Sequence, residues 1–231
     1  MFVSPVSTVF TPPPGLPSDP LSTALRFTAA SSQYMHRTFS TTSAGFWTLS
    51  MWVKRVGLGT HQALFGANYA NVAFYPGNQY GVYGGAAGDV AVNISSATFT
   101  STTLWHNITW YSRTAGAAPA PKFQTNELNN NGAWSLTMLF SDPGLNSAIT
   151  HFLGIVPGGA FAADLYMANV IFVDGQWLPI TNFGENVGGV WTPKPYAGSY
   201  GTNGFHLAFA DSGMRGRDYS GNGNHWTPVN F

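Results

Sequence analysis

Hydrophobic and polar positions alternate with period two along much of this chain, the repeat of a strand with one buried face. The segment 46–55 is the clearest amino-terminal case: Leu49, Met51 and Val53 alternate with Ser50, Trp52 and Lys54. The same reading predicts strands over 24–28, 34–39, 63–67, 72–75, 80–83, 90–94, 105–112, 122–128, 134–140 and 151–155. In 105–112, His106, Ile108 and Trp110 share a face. The segment 161–175 is different. Leu165, Met167, Asn169, Ile171 and Val173 fall on one side, and Tyr166, Ala168, Val170 and Phe172 on the other. A strand apolar on both sides is covered on both sides, which predicts a central position. Cover for its second face would come from the amino-terminal arm, a neighbouring subunit or the carboxyl-terminal segment. That segment has the bulk for it in Trp191, Tyr196, Phe205 and Trp226. Asp174-Gly175 and Asn131-Gly132 are turn signals. No long window shows helical periodicity, so the expected class is all-β: a two-sheet antiparallel sandwich of about a dozen short strands.

Composition sharpens this expectation. A chain of 231 residues with 44% hydrophobic content can bury one core, and Gly 27 and Pro 15 punctuate it often. Residues 24–231 read as one domain. Residues 1–23 hold Pro5, Pro12, Pro13, Pro14, Pro17 and Pro20, which forbid a regular ladder and favour an extended arm. Phe2, Val3, Val6, Val9 and Phe10 are its candidate attachment residues. Only 8% of residues are charged and the formal net charge is zero, which argues against nucleic acid as a partner. Zero cysteines exclude disulfides and thiolate chemistry and suit assembly in a reducing cytoplasm. No basic start precedes the first apolar residues, and no apolar run reaches membrane-spanning length. Neither export by a signal peptide nor membrane insertion is expected.

Candidate chemistry is sparse. The chain holds nine acids, and Glu127 and Glu185 stand alone. No Gly-x-Ser-x-Gly elbow occurs, and the six histidines never fall as His-x-x-x-His. No catalytic residue is assigned. Asp218, Ser220, Asn222 and Asn224, with Gly223 sixth, mimic the opening of a calcium loop, but the twelfth position is Val229 rather than a carboxylate. One carboxylate neutralises a dication poorly, so Asx and Ser turns are the competing reading, and no cofactor beyond calcium is implied. Glycan sites stack sugars on loop aromatics beside amides. The candidates here are Tyr69, Tyr75, Asn78, Tyr80, Tyr196 and Tyr200.

Two runs carry a resemblance. Gly188-Gly-Val-Trp-Thr-Pro-Lys-Pro-Tyr-Ala-Gly-Ser-Tyr-Gly-Thr-Asn-Gly-Phe205 and Gly216-Arg-Asp-Tyr-Ser-Gly-Asn-Gly-Asn-His-Trp-Thr-Pro-Val-Asn-Phe231 resemble the carboxyl-terminal signature of phage particle proteins built on a concanavalin A-like, or laminin G-like, jelly roll. Residues 24–27, 32–38 and 47–55 match more loosely. The resemblance implies a jelly-roll sandwich in a virion, assembled in the host cytoplasm and exposed on the particle surface. It implies a non-enzymatic structural role as a capsid decoration, head-fibre or tail-associated subunit. Expected partners are other virion proteins, further copies of itself and a host surface glycan. The alternative is a receptor-binding, lectin-like module of a tail fibre or spike, and behind it a polysaccharide hydrolase. The Glu-x-Asp-x-x-Glu strand motif of the hydrolases of this fold is missing.

Overall fold

The computed structural model describes residues 19–43, 45–68, 70–84, 91–112, 134–136 and 145–231. Along the first half the strands are β1 (Leu25–Phe27), β2 (Tyr34–Thr38), β3 (Trp47–Arg55), β4 (Gln62–Ala67), β5 (Ala70–Phe74), β6 (Gln79–Gly84), β7 (Ala91–Thr98) and β8 (His106–Ser112). There follow β9 (Trp134–Leu136), β10 (Thr150–Leu153), β11 (Leu165–Asp174), β12 (Gly184–Val187), β13 (Val190–Pro193), β14 (Phe205–Leu207) and β15 (Thr227–Val229). The expected strand over 122–128 and the attachment residues Phe2, Val3, Val6, Val9 and Phe10 lie outside the described residues. From the arm, only Asp19–Thr23 is described: it forms a turn whose end is held by Thr23 Oγ1 donating to Ala208 O at 2.7 Å.

The fold is all-β, and among the described residues every strand pairing is antiparallel. In a five-stranded sheet, β1 and β14 flank one side of β11, β3 flanks the other, and β8 lies beyond β3. An eight-stranded sheet runs in the order β15-β2-β10-β4-β5-β6-β7-β9. Its edge strand β15 is three residues long and contains Pro228, which blunts that edge against further pairing. Between the sheets lies one apolar core, so the arrangement is sandwich-like. As the alternation requires, β3 sends Trp47, Leu49, Met51 and Val53 into this core, and β8 sends Ile108 and Trp110. Phe172 of β11 is the junction. Its ring centroid lies 5.4 Å from Phe39, 5.6 Å from Trp47, 5.8 Å from Phe65 and 5.7 Å from Phe205. Phe65 belongs to the eight-stranded sheet, so these rings join the two layers.

Strand β11 is central and buried on both faces, but its side chains do not keep strict parity. Asn169 takes a left-handed backbone, φ 48°, and the register with β3 slips between Ala168 and Ile171. Asparagine tolerates this conformation, and the result is a β-bulge. Before the bulge Leu165 and Met167 face the core, and after it Val170 and Phe172 do. The face assignment read from period two therefore holds only up to Ala168. Beyond it Ile171 and Val173 point outward, where Phe183, Leu178, Tyr196 and Tyr200 cover them.

This second cover comes from the carboxyl-terminal segment. Thr48 Oγ1 donates to Gln176 O at 2.8 Å and accepts from Leu178 N at 3.0 Å. Trp191 Nε1, on the β12–β13 hairpin, donates to Asn107 Oδ1 at 3.1 Å. Phe205 and Trp226, expected in the same cover, belong instead to the main core. We predict that Ile171→Asp and Phe172→Asp each destabilise the domain by about 3–5 kcal/mol, because each buries an unpaired charge. Val190→Asp, at a position 63% exposed, should change stability by less than about 0.5 kcal/mol. Urea unfolding of the three variants tests this, and a mild Ile171→Asp would show that the roof is not closed.

Candidate functional site

The calcium-like loop is built from hydrogen bonds. Asp218 is buried, and its Oδ1 accepts from His206 N and Ser220 N, both at 2.8 Å. Its Oδ2 accepts from Ser220 Oγ at 2.7 Å and Asn224 N at 2.8 Å. Four donors fill the lone-pair directions of one carboxylate. Asn222 and Asn224 turn their amide nitrogens to the 201–204 loop: Asn222 Nδ2 donates to Gly201 O at 2.7 Å and Gly204 O at 2.9 Å. Asn224 Nδ2 donates to Thr202 O at 2.9 Å and Gly204 O at 2.7 Å, while its Oδ1 accepts from Arg37 Nη2. Asp218, Ser220, Asn222 and Asn224, the candidate metal ligands, are here engaged in the Asx- and Ser-type turns weighed against that reading. Among the described residues no three His, Asp or Glu side chains gather as a metal-binding group.

Two glycines fit this latch closely. A Cβ at Gly216 would collide with the Trp226 carbonyl, and one at Gly204 with the Tyr200 carbonyl. Both are places where backbone approaches backbone. A second buried carboxylate works the same way. Asp174 Oδ1 accepts from Asn146 Nδ2 at 2.7 Å and Oδ2 from Asn203 N at 3.1 Å, and Asn203 Nδ2 reaches back to Thr41 O at 2.9 Å.

The glycan candidates do not form one site. Tyr69 lies outside the described residues. Tyr80 is 1% exposed and packs at 5.6 Å from Phe74, so its ring is not offered to a sugar. The reason is parity: β6 points Tyr80 inward with Val82. Asn78 takes a left-handed backbone, φ 59°, and its Oδ1 accepts from Arg55 Nη1 at 3.0 Å and Gly59 N at 2.8 Å. It ties two turns together. Tyr196 and Tyr200 meet edge to face at 5.1 Å in the roof over Ile171 and Val173. Tyr75 is half-buried and packs at 4.7 Å from His61.

That contact leads to a residue that strand-pattern reasoning misses. Phe161 is 44% exposed, stacks on His61 at 3.8 Å, and has a left-handed backbone, φ 58°, rare for a bulky side chain. The only local signal is the preceding Gly158-Gly159-Ala160. Phe161, His61 and Tyr75 form a short aromatic stack at the surface.

His206 joins the latch to the bulge. Its Nε2 lies 2.7 Å from Asn169 Oδ1 and its Nδ1 3.5 Å from the Tyr200 hydroxyl, an arrangement that one ring proton satisfies. Burial holds its pKa down to about 4, against the pull of Asp218 in the other direction. No protein-family model matches the chain, and no curated protein does.

Two outcomes follow. Because the folded pKa of His206 lies below the ordinary ~6.5, the unfolded chain binds the extra proton first. This group's contribution is complete above pH ~6.5 and is lost as the pH falls to about 4, at most ~3 kcal/mol. Urea midpoints across that window should fall, and His206→Gln should flatten the slope. Asp218→Asn should cost about 2–3 kcal/mol, because an amide cannot accept from four donors, while millimolar calcium leaves the melting temperature of the wild-type protein unchanged. A calcium-dependent rise in melting temperature would favour the metal reading.

Proposed function

We propose that the protein is a non-enzymatic structural subunit of a phage particle, carried on its outer surface as a capsid decoration, head-fibre or tail-associated protein. In this reading the sandwich is a jelly roll of the concanavalin A-like, laminin G-like kind, and the proline-rich arm fixes it to the particle. The observation that carries it is the part played by the two runs that resemble such proteins. Trp191 roofs the outer face of the five-stranded sheet, Asp218 holds Asn224, whose amide latches the 201–204 loop, and Trp226 enters the core. The resembling residues are thus the ones that complete the domain.

Four acids among the described residues are held by structural partners, which supports the non-enzymatic reading. Asp164 pairs with Arg26 at 2.5 Å and Asp211 with Arg217 at 3.1 Å, and Asp174 and Asp218 are spent on backbone and amide donors. A surface poor in charge suits attachment through apolar and backbone contacts. A second reading, a lectin-like receptor-binding module, is favoured by the exposed ring of Phe161, backed by the half-buried His61 and Tyr75. Aromatic faces of this kind take the apolar side of a sugar.

Antibodies against residues 24–231 should label intact particles in negative-stain immunogold images. A protein lacking residues 1–23 should melt at the wild-type temperature yet fail to join particles. Labelling only after particles are disrupted, or incorporation without the arm, would overturn the assignment.

A further inference from the structure

His151 lies on β10 and is 0% exposed. Both of its ring nitrogens meet backbone carbonyls: Nδ1 lies 2.9 Å from Ile149 O and Nε2 lies 3.0 Å from Leu145 O. A carbonyl oxygen only accepts hydrogen bonds. A neutral imidazole has one N–H and one bare nitrogen, so it serves one of these oxygens and sets a lone pair against the other. The doubly protonated ring donates to both. His206 is different, because its nitrogens meet an amide oxygen and a hydroxyl that can donate or accept.

The surroundings suit a flat cation. Phe39 stacks on the ring with centroids 3.7 Å apart, and Phe65 lies 5.6 Å away in a nearly parallel plane. An aromatic face attracts a cation most strongly where water is excluded. The cross-strand neighbours are Arg37 on β2 and Ala67 on β4. Arg37 is a like charge that opposes a second proton. It donates to Asn224 Oδ1, and Asp218 accepts from the Asn224 backbone. From the other elements packed on Phe39 come Phe172, Phe205 and Trp226, none of them charged. The 145–149 loop holds no charged residue, and its Asn146 Nδ2 donates to Asp174 Oδ1 at 2.7 Å. That loop is also tied elsewhere: Ser43 N donates to Asn146 O at 2.9 Å and Ala148 N to Thr42 Oγ1 at 3.0 Å. Asn203 Nδ2 donates to Asn146 Oδ1 at 2.8 Å. His151 therefore grips both ends of the segment that joins residues 41–43 and the Asp174 knot to the sheet.

We propose that His151 is a buried imidazolium at neutral pH and acts as a proton-dependent clasp on the 145–149 loop. With two protons the ring holds both ends of the loop; with one it releases an end. The inference is independent of the virion reading, because it rests on one ring and the two acceptors it meets. Its sign is opposite to that of His206. The ring of an unfolded chain titrates near pH ~6.5. A ring that keeps its second proton in the fold contributes stability that is complete below pH ~6.5. That stability is lost as the pH rises through the point where the folded ring gives the proton up. Each pH unit between the two points strengthens folding about tenfold.

The test uses the full chain, isotope-labelled, with proton–nitrogen spectra of the imidazole rings recorded from pH ~6 to ~9 around the reference value. His151 is assigned through bonds from its own backbone amide, so no variant is needed for that step. Both of its ring nitrogens should carry protons at neutral pH. As the ring loses one on the alkaline side, amide exchange at Ser43 and Ala148 should quicken with it. In urea, the folding equilibrium of the wild type should weaken about tenfold or more over this range relative to His151→Gln, which cannot titrate. If that variant does not fold, the nitrogen spectrum and the exchange rates decide. A bare ring nitrogen on His151 at neutral pH overturns the proposal. So does loss of the second proton with no change in exchange at Ser43 and Ala148, which would leave a charged histidine that clasps nothing.

Discussion

Strand β11 is apolar toward both sides of its sheet, and most of the architecture is an answer to that fact. One side is met by the second sheet through Phe172 and its ring neighbours. The other is met by residues 176–200, which a two-layer sandwich does not need for its core. Burying a side chain the size of Ile171 or Val173 contributes about 1.5–3 kcal/mol, and leaving such a row wet would forfeit it and expose a sticky face. The bulge at Asn169 decides which residues meet which layer. It also brings a polar side chain to His206, so the change of phase occurs where its buried amide has a partner.

The roof and the core are tied by carboxylates rather than by covalent links. With zero cysteines the carboxyl-terminal loops are fixed by Asp218 and Asp174, each accepting from groups distant in sequence. Hydrogen bonds to a charged acceptor are roughly twice as strong as neutral ones, and a carboxylate gathers several in one place. Such a knot is cooperative. Arg37 from β2, His206 from β14 and the 201–204 loop meet around a few atoms, so loosening one strand loosens the others.

The parts legible in the sequence were those with enough residues to show a period. β3 could be read residue by residue, and β11 was recognisably two-faced. The bulge was not legible, because asparagine is equally at home in a regular strand, and glycine is the usual sign of a left-handed residue there. β12 to β15 span three or four residues each among Gly and Pro, too few for any alternation. The loop from Asp218 to Asn224 has oxygens at every second position, which suits a curled cation site and a string of Asx turns alike. The partners of its amides, the carbonyls of residues 201–204, are remote in sequence and could not be read from the loop itself. Phe161 was missed for the same kind of reason: it reads as one more aromatic. Tyr75 and Tyr80, five residues apart, looked equivalent until strand parity sent one of them inside.

The pairing of β15 with β2 has a consequence for the order of events during synthesis. β2 is made long before β15, and its outer edge stays open until residues 227–229 exist to close it. Trp226 likewise enters a core whose other members, Phe39 and Phe65, emerge long before it. A nascent chain therefore carries an unpaired strand edge and an incomplete core until residues 226–229 emerge. Pairings this distant in sequence fold slowly, and open edges attract other chains. Closure of this sheet therefore waits on residues 226–229, however early its other strands emerge.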